Sequence, residues 1–193
     1  MKNAALVLLL GAACSPSQED QLGNTANTEQ TGFEPLNPPR PEQPLSPPAP
    51  GQPGGLPDDR TPLTEGPIDP TSAQGAGQVL QRYFALLEQR RYVEAYRLWS
   101  DSGKAAGEGE ADFVRAFAAY REFHANIGAP GQPEGAAGSI YVEVPVQLYG
   151  RTRDGREFNA RGTMTLRRAN DVPGSSPEQR EWRIYRSDFP RRL

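Results

Sequence analysis

Two runs of strict alternation around a glycine turn limit what the last third of this 193-residue chain can become. Ile140, Val142, Val144, Val146 and Leu148 alternate with Tyr141, Glu143, Pro145, Gln147 and Tyr149. After Asp154-Gly155, Phe158, Ala160, Gly162, Met164 and Leu166 alternate with Asn159, Arg161, Thr163, Thr165 and Arg167. A period of two sends successive side chains to opposite faces of a strand, so the two runs read as an antiparallel hairpin. A two-residue turn at Asp154-Gly155 would set Val146 against Thr163 and Leu148 against Arg161. A three-residue loop, Arg153-Asp154-Gly155 with a left-handed glycine, instead pairs Val142 with Leu166, Val144 with Met164, Val146 with Gly162 and Leu148 with Ala160. Only the second register builds a continuous apolar face. Pro145 has no N–H to donate, which predicts an edge strand or a bulge there.

The residues ahead of the hairpin carry the helical period. Thr71-Ser72 offers a capping hydroxyl, after which Val79, Leu80, Tyr83, Phe84 and Leu87 share one face. A second, short helix is expected across Tyr92, Ala95, Tyr96 and Trp99, stopped by Ser100 to Gly103. Glu110-Ala111-Asp112 announces a third helix with acids suited to its N-terminus, along which Phe113, Val114, Phe117, Tyr120 and His124 follow down one side. Gly128 to Gly131 ends it; a loop from Asn170 to Gln179 leads to a last strand around Trp182, Ile184 and Tyr185. The expected fold is α+β: three N-terminal helices packed on a curved antiparallel sheet over residues 72–193, which at ~120 residues is enough for one compact domain.

This order of elements, and the segment Leu86 to Ser100 where one helix ends and an aromatic-rich turn follows, resembles the nuclear transport factor 2-like superfamily, which includes ketosteroid isomerases and polyketide cyclases. The resemblance implies a cystatin-like α+β roll enclosing a conical pocket, used by some members for catalysis and by others for binding, and closed in the rest. It also implies that the outer sheet face serves in association. Catalytic members need a carboxylate or imidazole base inside the cone. On the register above, the inward residues are apolar, from Val142 through Leu166 to Trp182 and Ile184, so no catalytic residue is assigned. His124, the one histidine, reads as a helix-end residue. Arg186 shares the parity of Trp182 and Ile184 and is the candidate for a ligand group at the pocket mouth. Tyr141, Gln147, Tyr149 and Arg161 make a mixed aromatic and basic outer face, the candidate association surface, with Tyr141 opposite Arg167 suited to a cation–π contact. Nothing resembles a metal cluster or a phosphate-binding loop, and no cofactor is expected.

The N-terminus speaks to location. Lys2, the apolar run Ala4 to Leu10 and small residues before Cys14 read as a secretory leader, residues 1–13, about half the ~20 apolar residues a membrane span needs. Gly11-Ala12-Ala13-Cys14 resembles the lipobox of bacterial lipoproteins, in which the thiol is acylated. A secretory cut after Ala13 suits the same small residues, but Cys14 is the chain's single cysteine and favours the lipid anchor. Ser15 in place of Asp, by resemblance to proteobacterial sorting, favours the outer membrane, with the domain facing the periplasm. Residues 14–71, rich in Pro and Gly, are expected to form a disordered tether with polyproline II character. The first 72 residues hold three basic side chains against nine acidic ones, the remainder 18 against 15, a balance that excludes a nucleic-acid binder. The reading is a cell-envelope lipoprotein with a non-catalytic binding or interaction domain, its partners the membrane and an envelope protein or a second copy. The alternative is a ketosteroid-isomerase-like enzyme acting on an apolar small molecule.

Overall fold

The computed structural model describes residues 43–59 and 66–190; the leader, Cys14 and the first part of the expected tether lie outside the described residues. Helix α1 (Ala73–Glu88) starts where the Ser72 hydroxyl accepts the Gly75 N–H at 3.1 Å, and its apolar stripe buries Leu80, Tyr83, Phe84 and Leu87. Helix α2 (Tyr92–Tyr96) is followed by a 3-10 segment (Asp101–Ala106) and by α3 (Glu110–Ala118). Five strands follow: β1 (Tyr120–Ile127), β2 (Glu134–Ala136), β3 (Ser139–Thr152), β4 (Glu157–Ala169) and β5 (Arg183–Ser187), with a single turn of helix, α4 (Pro177–Arg180), before the last. They form one antiparallel sheet in the order β1-β3-β4-β5, with β2 also paired to β3. Among the described residues no helix is long and apolar enough to cross a membrane.

The long hairpin has the register set by its apolar face: Val142 pairs Leu166, Val144 pairs Met164, Val146 pairs Gly162 and Leu148 pairs Ala160. Gly155 closes the three-residue loop at φ +86°, its N–H donating to the Thr152 carbonyl. Three expectations are corrected. The third helix does not run to His124; it stops at Ala118, and Tyr120 to Ile127 become a strand whose inward residue Phe123 joins the core. Pro145 sits on the central strand β3, not on an edge or bulge. Its missing donor falls where β1 gives out, since β1 pairing ends at Ile127 with Val146 and only the Gly128 N–H reaches the Pro145 carbonyl, at 2.8 Å. The loop before β5 holds α4, whose Ser176 and Gln179 form a reciprocal capping box.

Strand β5 is held on both sides. On one it pairs with β4; on the other the Ser100 N–H donates to the Ile184 carbonyl at 2.7 Å and the Ile184 N–H to the Leu98 carbonyl at 3.0 Å. The exposed edge that β5 would offer is thereby covered, and Trp99 is fastened over the sheet.

Part of the expected tether is not free chain. Residues 43–59 form a strap against the outer face of the sheet, with Gly55 and Leu56 buried. Prolines carry no N–H, so a proline-rich segment has few donors for its own carbonyls, and here the sheet supplies them: Gln147 Nε2 reaches the Gly54 carbonyl at 3.1 Å, Arg161 the Gly55 carbonyl at 2.7 Å, and Arg151 the Gln43 carbonyl.

Candidate functional site

The concave face of the sheet and the helices above it enclose a cavity of about 280 Å³. Each wall follows from a local rule. The helical period of α1 turns Tyr83 and Phe84 into it, and that of α3 adds Phe113, Ala116 and Phe117. The switch to strand at Tyr120 brings Tyr120 and Phe123 in from β1, while Leu148 and Met164 form the floor. Trp99 enters because its backbone is pinned to β5. Phe189 completes the lining, and Gly162 makes room for it: a Cβ there would stand 3.1–3.2 Å from the Phe189 ring.

The aromatic walls brace one another edge-on, with ring centroids 5.0 Å apart for Tyr83 and Phe84, 6.1 Å for Tyr83 and Trp99, and 5.3 Å for Phe117 and Phe123. Such offset and T-shaped pairs suit the negative faces and positive edges of the rings. The rim is built from the segment after α2. The Tyr96 hydroxyl donates to the Glu108 carbonyl at 3.0 Å, and its ring lies where a Gly103 side chain would be. Asp101, Ser102 and Gly103 all take left-handed backbone angles, so this rim is bent against ordinary preference to present Ala105, Ala106 and Glu108 to the opening.

The polar groups of the lining are few. Burial pushes the Tyr83 phenol above its ordinary pKa and keeps it protonated. The Trp99 indole N–H beside it opposes that shift without reaching hydrogen-bond geometry, and has no acceptor among the described residues. Glu108 is the one carboxylate among the described lining residues and lies half-buried at the rim. The arrangement can take up an apolar ring and offer it aromatic edges and phenol groups. The hairpin and last strand alone gave an apolar lining; the phenols come from Tyr83 on α1 and Tyr120 at the start of β1, whose places in the lining those strands did not reveal.

The residues singled out in the sequence separate in space. Arg186 borders the mouth, but not through the parity it shares with Ile184. A register shift sets Leu166 against Ile184 and then Thr165 against Arg186, so Ser187 takes the inward place opposite Met164. The Arg186 guanidinium is mostly exposed and lies 3.5 Å from Asp188. Arg161 is engaged with the strap. Tyr149 is half-buried beside His124, ring centroids 5.4 Å apart, and His124 Nδ1 lies 3.0 Å from the Glu88 carboxylate. Tyr141 sits farther along the outer face against Tyr185, and the ring beneath the Arg167 guanidinium is that of Tyr185, not the expected Tyr141. Gln147 lies on the outer face as parity predicts, but its burial and partners were not legible: it is 1% exposed, accepts from Asn126 and donates toward Asn159 and the strap.

No family model matches the chain, and no curated protein does. Among solved structures it is similar to the Kfla4162 protein of Kribbella flavida, at 12% identity and a TM-score of 0.43 over 62% of this chain and 92% of that one. A nuclear transport factor 2-like superfamily protein of Salmonella enterica serovar Typhimurium matches at 12% identity and 0.41, over 60% and 87%. An NTF2-like protein of unknown function from Exiguobacterium matches at 21% and 0.34, over 56% and 93%. The α+β architecture stands on the helices and strands described above.

Proposed function

We propose that the chain is a bacterial cell-envelope lipoprotein, anchored through Cys14, whose C-terminal domain is a roll of the nuclear transport factor 2-like kind that binds a small apolar ring compound between helices and sheet. The observation that carries the binding reading is the aromatic cavity of about 280 Å³. A dry apolar cavity of about 150 Å³ already accepts benzene, so this one has room for a one- or two-ring molecule. Around Gln147 and Arg161 the outer face, which would otherwise serve association, is engaged by the chain's own strap, which shifts the weight of function to the cavity. A catalytic role would require a proton acceptor facing the ligand; Glu108, at the rim, is the lining residue with that chemistry.

The chain has two tryptophans, of which Trp99 lines the cavity and Trp182 does not. In a Trp182→Phe background, titration with naphthalene should change Trp99 emission saturably. Ala106→Leu with Ala116→Leu, which fill the cavity, should weaken that binding at least tenfold. A linear, non-saturating response, or equal affinity in the filled variant, would overturn the binding reading. Separately, Cys14→Ser should abolish labelling by a fatty-acid analogue and move the protein out of the membrane fraction.

A further inference from the structure

The strap is held in an unusual way. Its own shape is local: the Gly51 N–H donates to the Leu56 carbonyl at 2.8 Å, and Gln52 and Gly55 close turns onto Ala49 and Gln52. That shape depends on glycine, because a Cβ at Gly55 would stand 2.0 Å from the Ala49 oxygen. What the sheet reads is almost wholly backbone, through Gln147 and Arg161 donating to the Gly54 and Gly55 carbonyls. Leu56, 6% exposed and outside the helix–sheet core, is the single buried hydrophobic side chain of the strap. The main donor on the sheet is also preformed. Gln147 is fixed between Asn126 and Asn159 on the flanking strands, each at 3.1 Å, so its amide is aimed before any strap arrives.

A preformed side-chain amide and a neighbouring guanidinium that donate to the carbonyls of a self-shaped proline–glycine segment make a peptide-binding groove, and it does not distinguish which copy supplies the segment. We propose that this outer face is a receptor for residues 43–59, filled in cis in the single chain and exchanged for the same residues of a second copy when chains are crowded, linking two copies without any new contact. Exchange of an identical element between protomers is a low-barrier route to association, because every contact made in trans is one already present in cis. The cis strap wins in dilute solution through its high effective concentration, which for short linkers lies in the millimolar range.

The test uses the full-length chain in detergent and a fluorescent synthetic peptide of residues 43–59 as probe. Gly55→Val in the chain should dislodge the cis strap and raise peptide affinity at least tenfold over wild type. Adding Gln147→Ala and Arg161→Ala to that variant should remove the gain, with unchanged circular dichroism showing that the domain still folds. In sedimentation, wild type should pass from monomer to dimer as concentration approaches the millimolar range, and the Gln147→Ala/Arg161→Ala chain should not. Equal peptide affinity for wild type and Gly55→Val would overturn the groove. Wild type remaining monomeric throughout, or the double variant dimerising equally, would overturn the exchange. Neither readout involves the cavity, so failure here leaves the ring-binding reading to its own experiment.

Discussion

Gln147 shows how much a single side chain can hide from a sequence. It lies between Val146 and Leu148 and by parity points away from the core, where water is the ordinary expectation. In the fold it is among the most buried polar residues and joins three strands to a strap more than ninety residues away in sequence. Nothing in the pattern could signal this, because its distant partner is a backbone carbonyl, which every residue carries. Replacing it by leucine keeps the volume but leaves the Asn126 and Asn159 amides and the Gly54 carbonyl short of a partner. Gln147→Leu should destabilise the protein by about 1–3 kcal/mol in urea unfolding; an unchanged midpoint would mean that water reaches these groups.

At the level of elements, legibility followed the strength of the period. The β3–β4 hairpin was readable to the residue because each alternative register mixes polar with apolar on one face, leaving one acceptable pairing. The α3–β1 boundary was not. Phe113, Phe117 and Tyr120 keep helical spacing across it, and beyond the irregularity after Tyr120, β1 offers Phe123, Ala125 and Ile127 as an inward set, too weak to announce a strand. The cavity suffered accordingly: its floor was legible from strand parity, while its aromatic walls depended on where α3 ended. Parity also failed at Arg186, where a register shift in β5 resets it. The hairpin loop gives an element-scale prediction. Gly155 has φ +86°, and a Cβ placed on it would have no neighbour within 4 Å, so Gly155→Ala would meet backbone strain alone. It should cost about 1 kcal/mol, read from thermal or urea unfolding.

For the molecule as a whole, several exposed carboxylates contribute to the response to acid. The Thr71 N–H and hydroxyl hold Asp69 below the usual carboxylate range, Arg91 does the same for Glu94, and the Thr152 hydroxyl for Asp154. A depressed carboxylate contributes stability above its unfolded value and loses it as pH falls through the folded one, so these contributions fade below about pH 5 and are constant near neutrality. Thr152→Val should therefore shallow the acid limb of a stability–pH curve between about pH 5 and 2 relative to its own neutral plateau; parallel limbs would refute the Asp154 contribution.

The docked strap also sets the length of the leash. From Cys14 to Gln43 there are 29 residues and from Cys14 to Ser72 there are 58. Whatever conformation those residues take, their contour cannot exceed about 100 Å in the first case and about 200 Å in the second. If the cysteine is moored in a bilayer, seating the strap confines the domain to the nearer half of that radius, and undocking it doubles how far from the lipid the aromatic cavity can search.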